Sequence, residues 1–197
     1  MSAILKTGIV ILAAGSSSRL GQPKQLLSYQ HKSLLARTIE AAKSTRDGIV
    51  VVILGEKHAA IAKDVEPSGV RVVYNEGWEE GMSSSIRAGL SALTAHTELD
   101  GVILTVCDQP FLTASVLNAL LDAAESSGKS IVASAYGDTL GTPVFFSKQH
   151  FEDLLALKGA EGARMLIKKY ETQVASLPFE KGEVDIDTLE DYQKLIS

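Results

Sequence analysis

Between Gly15 and Lys24 the chain reads Gly-Ser-Ser-Ser-Arg-Leu-Gly-Gln-Pro-Lys. These residue types suit a polyphosphate. Gly15 and Gly21 admit backbone conformations closed to other residues and a close approach to a ligand. Small serines leave backbone N–H groups uncovered, so the loop can form a concave anion site. Arg19 offers a planar fork and Lys24 a compact point charge. The plain alternative is a Gly/Ser turn with two solvated cations that add little to stability. A second chemical group is Asp108, in Cys107-Asp108-Gln109-Pro110. A carboxylate at the end of a strand is a natural Mg²⁺ ligand, because Mg²⁺ takes one or two carboxylates and completes its shell with phosphate and water oxygens. A turn or N-cap aspartate is the alternative there. Cys107 has no base beside it in sequence and reads as a small buried residue.

These groups need a scaffold, and the apolar pattern supplies one. Ile9 to Ala14, Ile49 to Leu54, Val70 to Tyr74, Gly101 to Val106 and Ile131 to Ala135 are short runs rich in β-branched residues, as in strands covered on both faces. Helical patterns alternate with them: Ser33 caps Leu34, Leu35, Ile39 and Ala42 until Asp47-Gly48, a short helix covers His58 to Asp64, and Ile86, Leu90 and Leu93 precede Leu117, Leu120 and Leu121. Tyr136 to Gly141 reads as a polar loop, and Thr142 to Phe146 as extended chain. Ser147 is expected to cap a helix carrying Phe151 and Leu154, and Gly159 to Arg164 to begin another. A last strand, Gln173 to Leu177, precedes a helix with Leu189, Tyr192 and Ile196. The alternation predicts an α/β fold, a single domain over 1–197 with a doubly wound, mostly parallel sheet. Ligands gather at the carboxyl ends of such strands, where Gly15 and Asn75 fall.

Three further segments carry polar groups at useful places. Gly81-Met-Ser83-Ser84-Ser85 opens a helix, where hydroxyls cap backbone donors or read a ligand's edge, with Trp78 as a core anchor just before it. Arg164 stands at a glycine-rich helix start, facing a second substrate's phosphate or a surface acid. Asp187 and Glu190 have capping-box spacing, while alternation puts Asp185 and Asp187 on one side of an extended segment. The four histidines show neither metal-ligand nor triad spacing.

The 197 residues carry a net charge of −5 with no basic run, which excludes nucleic acid as a bulk partner. No run approaches the ~20 apolar residues of a membrane span, so no membrane is expected. The single cysteine excludes an internal disulfide and suits a reducing cytoplasm.

Neither the Walker spacing nor the dinucleotide G-x-G-x-x-G fits the first loop. What Leu12 to Lys24 resembles is the L-A-A-G-x-S-x-R-x-G-x-x-K signature of the pyrophosphate-releasing nucleotidyltransferases. Gly81-Met-Ser-Ser-Ser-Ile-Arg87, Cys-Asp-Gln-Pro, Gly141-Thr142-Pro143-Val and the closing Asp185-Ile-Asp187-Thr make the combination similar to the molybdenum cofactor cytidylyltransferases. The resemblance implies a Rossmann-like nucleotidyltransferase fold and CMP transfer from CTP to molybdopterin with release of pyrophosphate. It implies Arg19, Lys24 and Asp108 as catalytic, and Leu12, Ala13, Ala14, Gly15, Arg19, Lys24, Asn75, Gly81, Ser83, Ser84 and Asp108 around the nucleotide. Asp108 with Asp187 (Asp185 as the second choice) would hold Mg²⁺, Thr142 and Arg164 would meet the acceptor, and a molybdoenzyme would receive the product. The related guanylyltransferases open L-A-G-G, so Ala14 favours CTP over GTP. Ala160 replaces the family's usual aspartate, with Glu161 as a substitute carboxylate. The other readings are the guanylyl reaction on the same cofactor, a sugar-phosphate or methylerythritol-phosphate acceptor, and a binding protein that only delivers cofactor.

Overall fold

The computed structural model describes residues 5–46 and 48–197. Asp47, assigned above to a helix stop, lies outside the described residues. The strands are β1 (Thr7–Ala13), β2 (Ser28–Tyr29), β3 (Lys32–Ser33), β4 (Gly48–Leu54), β5 (Arg71–Tyr74), β6 (Gly101–Val106), β7 (Ile131–Tyr136), β8 (Thr139–Ser147) and β9 (Val174–Pro178). The helices are α1 (Leu34–Lys43), α2 (His58–Val65), α3 (Met82–Thr94), α4 (Ala114–Ser127), α5 (Phe151–Ala156), α6 (Ala163–Lys169) and α7 (Leu189–Ile196). Seven strands form one sheet in the order β5-β4-β1-β6-β8-β7-β9, and β2 with β3 makes a separate small hairpin. Among the described strands of the large sheet, only β8 runs against its neighbours, β6 and β7. The α/β, mostly parallel sheet is the architecture the strand–helix alternation predicts.

The unbroken apolar runs follow from the two covered faces. Along β1, Ile9, Ile11 and Ala13 join one core with Leu35, Ile39, Ile61, Val65, Leu117 and Leu120, from α1, α2 and α4. Val10, Leu12 and Ala14 point the other way, to Ile86, Leu90, Leu93, Leu154 and Leu166, from α3, α5 and α6. A strand that must be apolar on both sides cannot alternate. Each Leu or Ile fully buried this way contributes roughly 1.5–3 kcal/mol of transfer free energy.

Three local expectations change. Thr139 to Gly141 is not loop but the first part of β8; only Gly137 and Asp138 turn, with Gly137 at φ 52°. Ser147 ends β8 and caps nothing, since a 3-10 turn over Lys148–His150 comes before α5. The box that starts α7 is Thr188 with Asp191, not Asp187 with Glu190. Thr188 Oγ1 accepts from Asp191 N at 3.2 Å while Asp191 Oδ2 accepts from Thr188 N at 2.8 Å. This one-residue offset frees the Asp187 side chain.

Candidate active site

The glycine–serine loop leaves the carboxyl end of β1 and is fastened from below. Gln25 is buried, and its amide donates to the carbonyls of Ala13 at 2.7 Å and Gly15 at 3.1 Å. Ser17 Oγ accepts from the Lys24 backbone N–H at 3.0 Å, closing the loop on itself. Gly21 takes the left-handed conformation at φ 70°, as does Ser17 at φ 54°. Gly15 does not; a Cβ there would meet nothing within 4 Å, so its contribution is open space. The chain after Pro23 does not run extended, because Lys24–Leu26 forms a 3-10 turn. That turn sends Gln25 inward and Lys24 towards the end of β6.

There the two cations of the loop part company. Lys24 is not a solvated charge: its ammonium donates to Asp108 Oδ2 and, at 2.8 Å, to Asp187 Oδ1, with only 15% of the side chain exposed. Burial alone would depress the ammonium, but the charge and hydrogen bonds of the two carboxylates outweigh it and raise its pKa. Arg19 is 71% exposed and stands 3.6 Å from Asp187 Oδ2. Asp187 reaches the centre because Ile186 N donates to Asp108 O at 3.1 Å and its side chain is buried against Leu27 and Leu34. Asp185 falls on the same side as Asp187. Partial desolvation, then the charges of Asp108 and Asp187, hold its carboxyl above the usual range. Next door, burial and the Asp108 charge push the Cys107 thiol up to about 12, so it stays protonated and inert at neutral pH.

Two cavities meet at this centre. The smaller, about 320 Å³, is lined by Ala14, Gly15, Ser16, Trp78, Glu79, Gly81 and Ser85. The larger, about 760 Å³, runs along Tyr136 to Thr142, past Gly162 and Arg164, to Gly182, Glu183, Asp185 and Asp187. Leu12, Lys24, Met82, Val106 and Asp108 line both. The cleft is therefore one trough with two lobes, pinched where Lys24 meets Asp108. Trp78 faces the smaller lobe.

Other residues singled out from sequence support the walls. Asn75 is buried and donates to the hydroxyls of Ser84 at 2.8 Å and Ser85 at 3.0 Å. Ser84 donates to Gly81 O and Ser83 to Gly159 O, both at 2.8 Å. The hydroxyls of Ser83 and Ser84 are thus committed inside the protein, and Ser85 faces the smaller lobe. Ala13 is buried on the opposite face of β1. Thr142, joined to Pro143 by a cis bond, and Arg164 both line the larger lobe. Glu161 does not replace the missing carboxylate at 160: its Oε2 accepts from Lys158 N at 2.8 Å, within its own loop. Two residues escaped sequence reasoning, Gln25 and Gln109. Gln109 Nε2 ties Thr142 O, at 3.1 Å, to Gly182 O, at 2.8 Å, across the larger lobe. A glutamine beside a charged loop residue is the sole sequence cue for either.

The donor set fits a divalent cation. Asp108 and Asp187 converge on one positive point, now the Lys24 ammonium, which stands in for a bound cation. Among the described residues no three His, Cys, Asp or Glu side chains form a metal cage. A two-carboxylate site open to substrate oxygens is the arrangement Mg²⁺ favours. Among the described residues no helix is long and apolar enough to cross a membrane.

The purine catabolism protein PucB of Bacillus subtilis is 30% identical over 194 residues, covering 93% of this chain and 92% of its own. Nicotine blue oxidoreductase of Paenarthrobacter nicotinovorans is 29% identical over 199 residues, covering 95% of both. The crystal structure of Rv0371c from Mycobacterium tuberculosis H37Rv superposes with a TM-score of 0.85 at 30% identity, over 98% of each chain. Its complex with manganese does so at 0.80 and 28%, over 97% of this chain and 98% of that one. Residues 9–174 match the MobA-like NTP transferase domain, a span that runs from β1 into β9 and takes in the loop, Asp108 and most of both lobes. The chain belongs to the MobA-like NTP transferase family and is a nucleotidyltransferase.

Proposed function

We propose that the protein transfers CMP from CTP to the terminal phosphate of a molybdopterin-type acceptor. The observation that carries this reading is the junction itself: two lobes of unequal size meet at one lysine held by two carboxylates. The nucleotide takes the smaller lobe, base against Trp78 and Ser85 and triphosphate along Gly15 to Lys24. The acceptor takes the larger lobe, between Thr142 and Arg164. An acceptor phosphate oxygen bonds to the α-phosphorus, the bond from that phosphorus to the bridging oxygen breaks, and pyrophosphate leaves with the electron pair. The attacking phosphate is already ionised near neutral pH, so no general base is required, and catalysis rests on positioning and charge. Lys24 and Arg19 neutralise the departing pyrophosphate. Asp108 and Asp187 would hold Mg²⁺, which supplies further charge stabilisation at the phosphates. Ala14 lines the smaller lobe and narrows it, which favours the one-ring base of CTP over GTP. A cytoplasmic location and hand-over of the product to a molybdoenzyme complete the reading.

Pyrophosphate release with Mg²⁺ over a panel of nucleotides and acceptors tests it. Release with CTP and molybdopterin above all other pairs is expected. Release only with GTP, or only with a sugar phosphate or methylerythritol phosphate, replaces the substrate assignment. No release with any pair favours a delivery protein.

A further inference from the structure

Arg87 lines neither lobe, yet it joins the wall of one to the wall of the other. It sits on the second turn of α3, with 28% of its side chain exposed. One guanidinium nitrogen donates to the carbonyl of Leu157 at 2.6 Å and to Ser83 Oγ at 3.1 Å. The other donates to Glu80 Oε2 at 2.6 Å. Glu80 ends the 3-10 turn that carries Trp78 and Glu79 into the smaller lobe. Leu157 begins the connection to α6; Ala160 and Gly162 of that connection and Ala163 and Arg164 at the start of α6 line the larger one. Ser83 doubles the tie, since its backbone N–H, at 3.2 Å, and its hydroxyl, at 2.8 Å, both donate to Gly159 O. The two segments also pack closely at glycines. Gly81 sits at φ 117°, and a Cβ there would lie 2.5 Å from Gly159 O. A Cβ on Gly162 would lie 2.8 Å from Met82 Sδ.

We propose that Arg87 is a positioning residue that makes the acceptor wall, 157–164, ride on the nucleotide wall, 78–82. A planar guanidinium bonded to Glu80, Ser83 and Leu157 fixes three segments at once, which a lysine ammonium does less well. Occupancy of the smaller lobe orders Trp78 to Gly81, and the clasp passes that order to the backbone holding Arg164. Nucleotide binding thereby raises affinity in the larger lobe, and by linkage the acceptor raises affinity for nucleotide to the same degree. The proposal rests on the smaller lobe being the nucleotide site.

The test uses the whole protein as wild type, Arg87→Met and Arg87→Lys. Trp78, the chain's single tryptophan, reports filling of the smaller lobe by its fluorescence. Amide hydrogen exchange reports order in 157–164. Mg²⁺ with CTP is expected to quench or shift Trp78 in all three proteins. In wild type it should slow exchange across 157–164 by about tenfold, within the usual range of coupling between sites. In Arg87→Met that protection should be lost, and acceptor and nucleotide should each bind about tenfold more weakly when the other is saturating, with little change when each binds alone. Arg87→Lys should recover part of the protection. A purely structural arginine would speed exchange in Arg87→Met equally with and without nucleotide, and that result overturns the proposal. Equal nucleotide-induced protection in wild type and Arg87→Met overturns it as well. If no nucleoside triphosphate, CTP, GTP, ATP or UTP, alters Trp78, the smaller lobe is not the nucleotide site and the proposal falls with that reading.

Discussion

The two lobes of the cleft are built from different materials. Away from the junction the smaller is lined mostly by small residues, Ala14, Gly15, Ser16, Gly81 and Ser85, with Trp78 as its one aromatic side chain and Glu79 as its one charge. Its walls follow directly on β1 and begin α3, inside the regular parallel half of the sheet. The larger lobe carries Asp138, Glu183, Asp185 and Asp187 on turns and irregular chain around the antiparallel β8, with Arg164 at the start of α6. Small residues expose backbone groups and give one shape with little charge, which suits a ligand gripped through its phosphates. Charged side chains on irregular chain are easier to vary one at a time, which suits a lobe that decides between acceptors. The junction belongs to both, so a substitution there should damage every substrate pair, while one in a lobe should damage one partner.

The largest effect is expected at the junction. Asp108→Asn removes a carboxylate that both lobes share. The loss of several kcal/mol of charge stabilisation at the phosphates amounts to roughly 10³-fold in turnover or more. The fold should persist, checked by an unchanged circular dichroism spectrum. Turnover close to wild type with intact Mg²⁺ dependence would take Asp108 out of the site. Asp187→Asn and Asp185→Asn, assayed beside it, decide which carboxylate is its partner; the larger loss is expected at Asp187, which already holds the cationic end of Lys24.

The two loop cations sharpen the contrast between junction and rim. Lys24→Met should lower turnover roughly 10²-fold or more, as for other cations clamped on transferring phosphates. Unlike a solvated charge, it should also destabilise the protein by about 2–3 kcal/mol, near the lower edge of what breaking a buried pair costs. Added Mn²⁺ should recover more of the melting temperature in Lys24→Met than in wild type, because the carboxylates then lack their own cation. Arg19→Ala should cut turnover while leaving stability within about 0.5 kcal/mol, as for an exposed pair. Equal melting temperatures for Lys24→Met and wild type would show that the bridge adds nothing.

Lys24 also shows where sequence reading stops. The spacing from Leu12 to Lys24 was legible because its parts are neighbours in the chain, and so were the strands, whose two-sided burial leaves Ile9 to Ala13 of β1 and all of β4 without a polar residue. The partners of Lys24 lie 84 and 163 residues away, so its burial left no local trace. Gln25 and Gln109 escaped for a similar reason: each bonds to backbone carbonyls, which any sequence supplies. Asp187-Thr-Leu-Glu190 and Thr188-Leu-Glu-Asp191 are overlapping capping signals, and only tertiary placement of Ile186 chooses between them. In β8, Gly141 reads as the end of a polar loop, yet the strand passes through it, with the register to β7 shifted at Ala133 and Ser134. The mostly parallel sheet follows from alternation; the direction of one strand does not.

A smaller effect is expected for nucleotide choice. A methyl-sized steric difference is worth ~1–3 kcal/mol, so Ala14 should produce a preference and not an exclusion. The kcat/KM for CTP is expected above that for GTP with one acceptor, and the gap should narrow in Ala14→Gly. Because Ala14 lines only the smaller lobe, the acceptor KM should hardly move. A shift in acceptor KM as large as the change in nucleotide preference would mean the lobes are not separable at this residue.

The smallest effect lies at the end of β7 and β8 remote from the cleft, away from the chemistry. His150 is buried, its ring 4.7 Å from that of Tyr170 and its Nε2 2.8 Å from Ser130 Oγ. Ser130 also bonds Gln173 at 2.8 Å, and Asp153 stands 4.0 Å from His150 Nδ1. Burial holds the imidazole below its ordinary pKa of 6.5; the Asp153 charge opposes this, and Lys169 adds to it. A depressed folded value means the unfolded chain takes up the proton first as pH falls. The stabilisation is therefore complete above the unfolded value and is lost as pH drops from about 6.5 through the folded value. Acidification across that window should lower Tm by no more than about 2–4 °C, the response of a chain this size to ~1 kcal/mol. His150→Gln, which keeps a hydrogen-bonding group beside Ser130, should flatten that slope even if it melts somewhat lower throughout. Trp78 emission should stay constant over the same window, since the smaller lobe contains no group that senses His150. A pH slope as steep in His150→Gln as in wild type would place the acid sensitivity elsewhere, and a matching change at Trp78 would show that the titration reaches the smaller lobe.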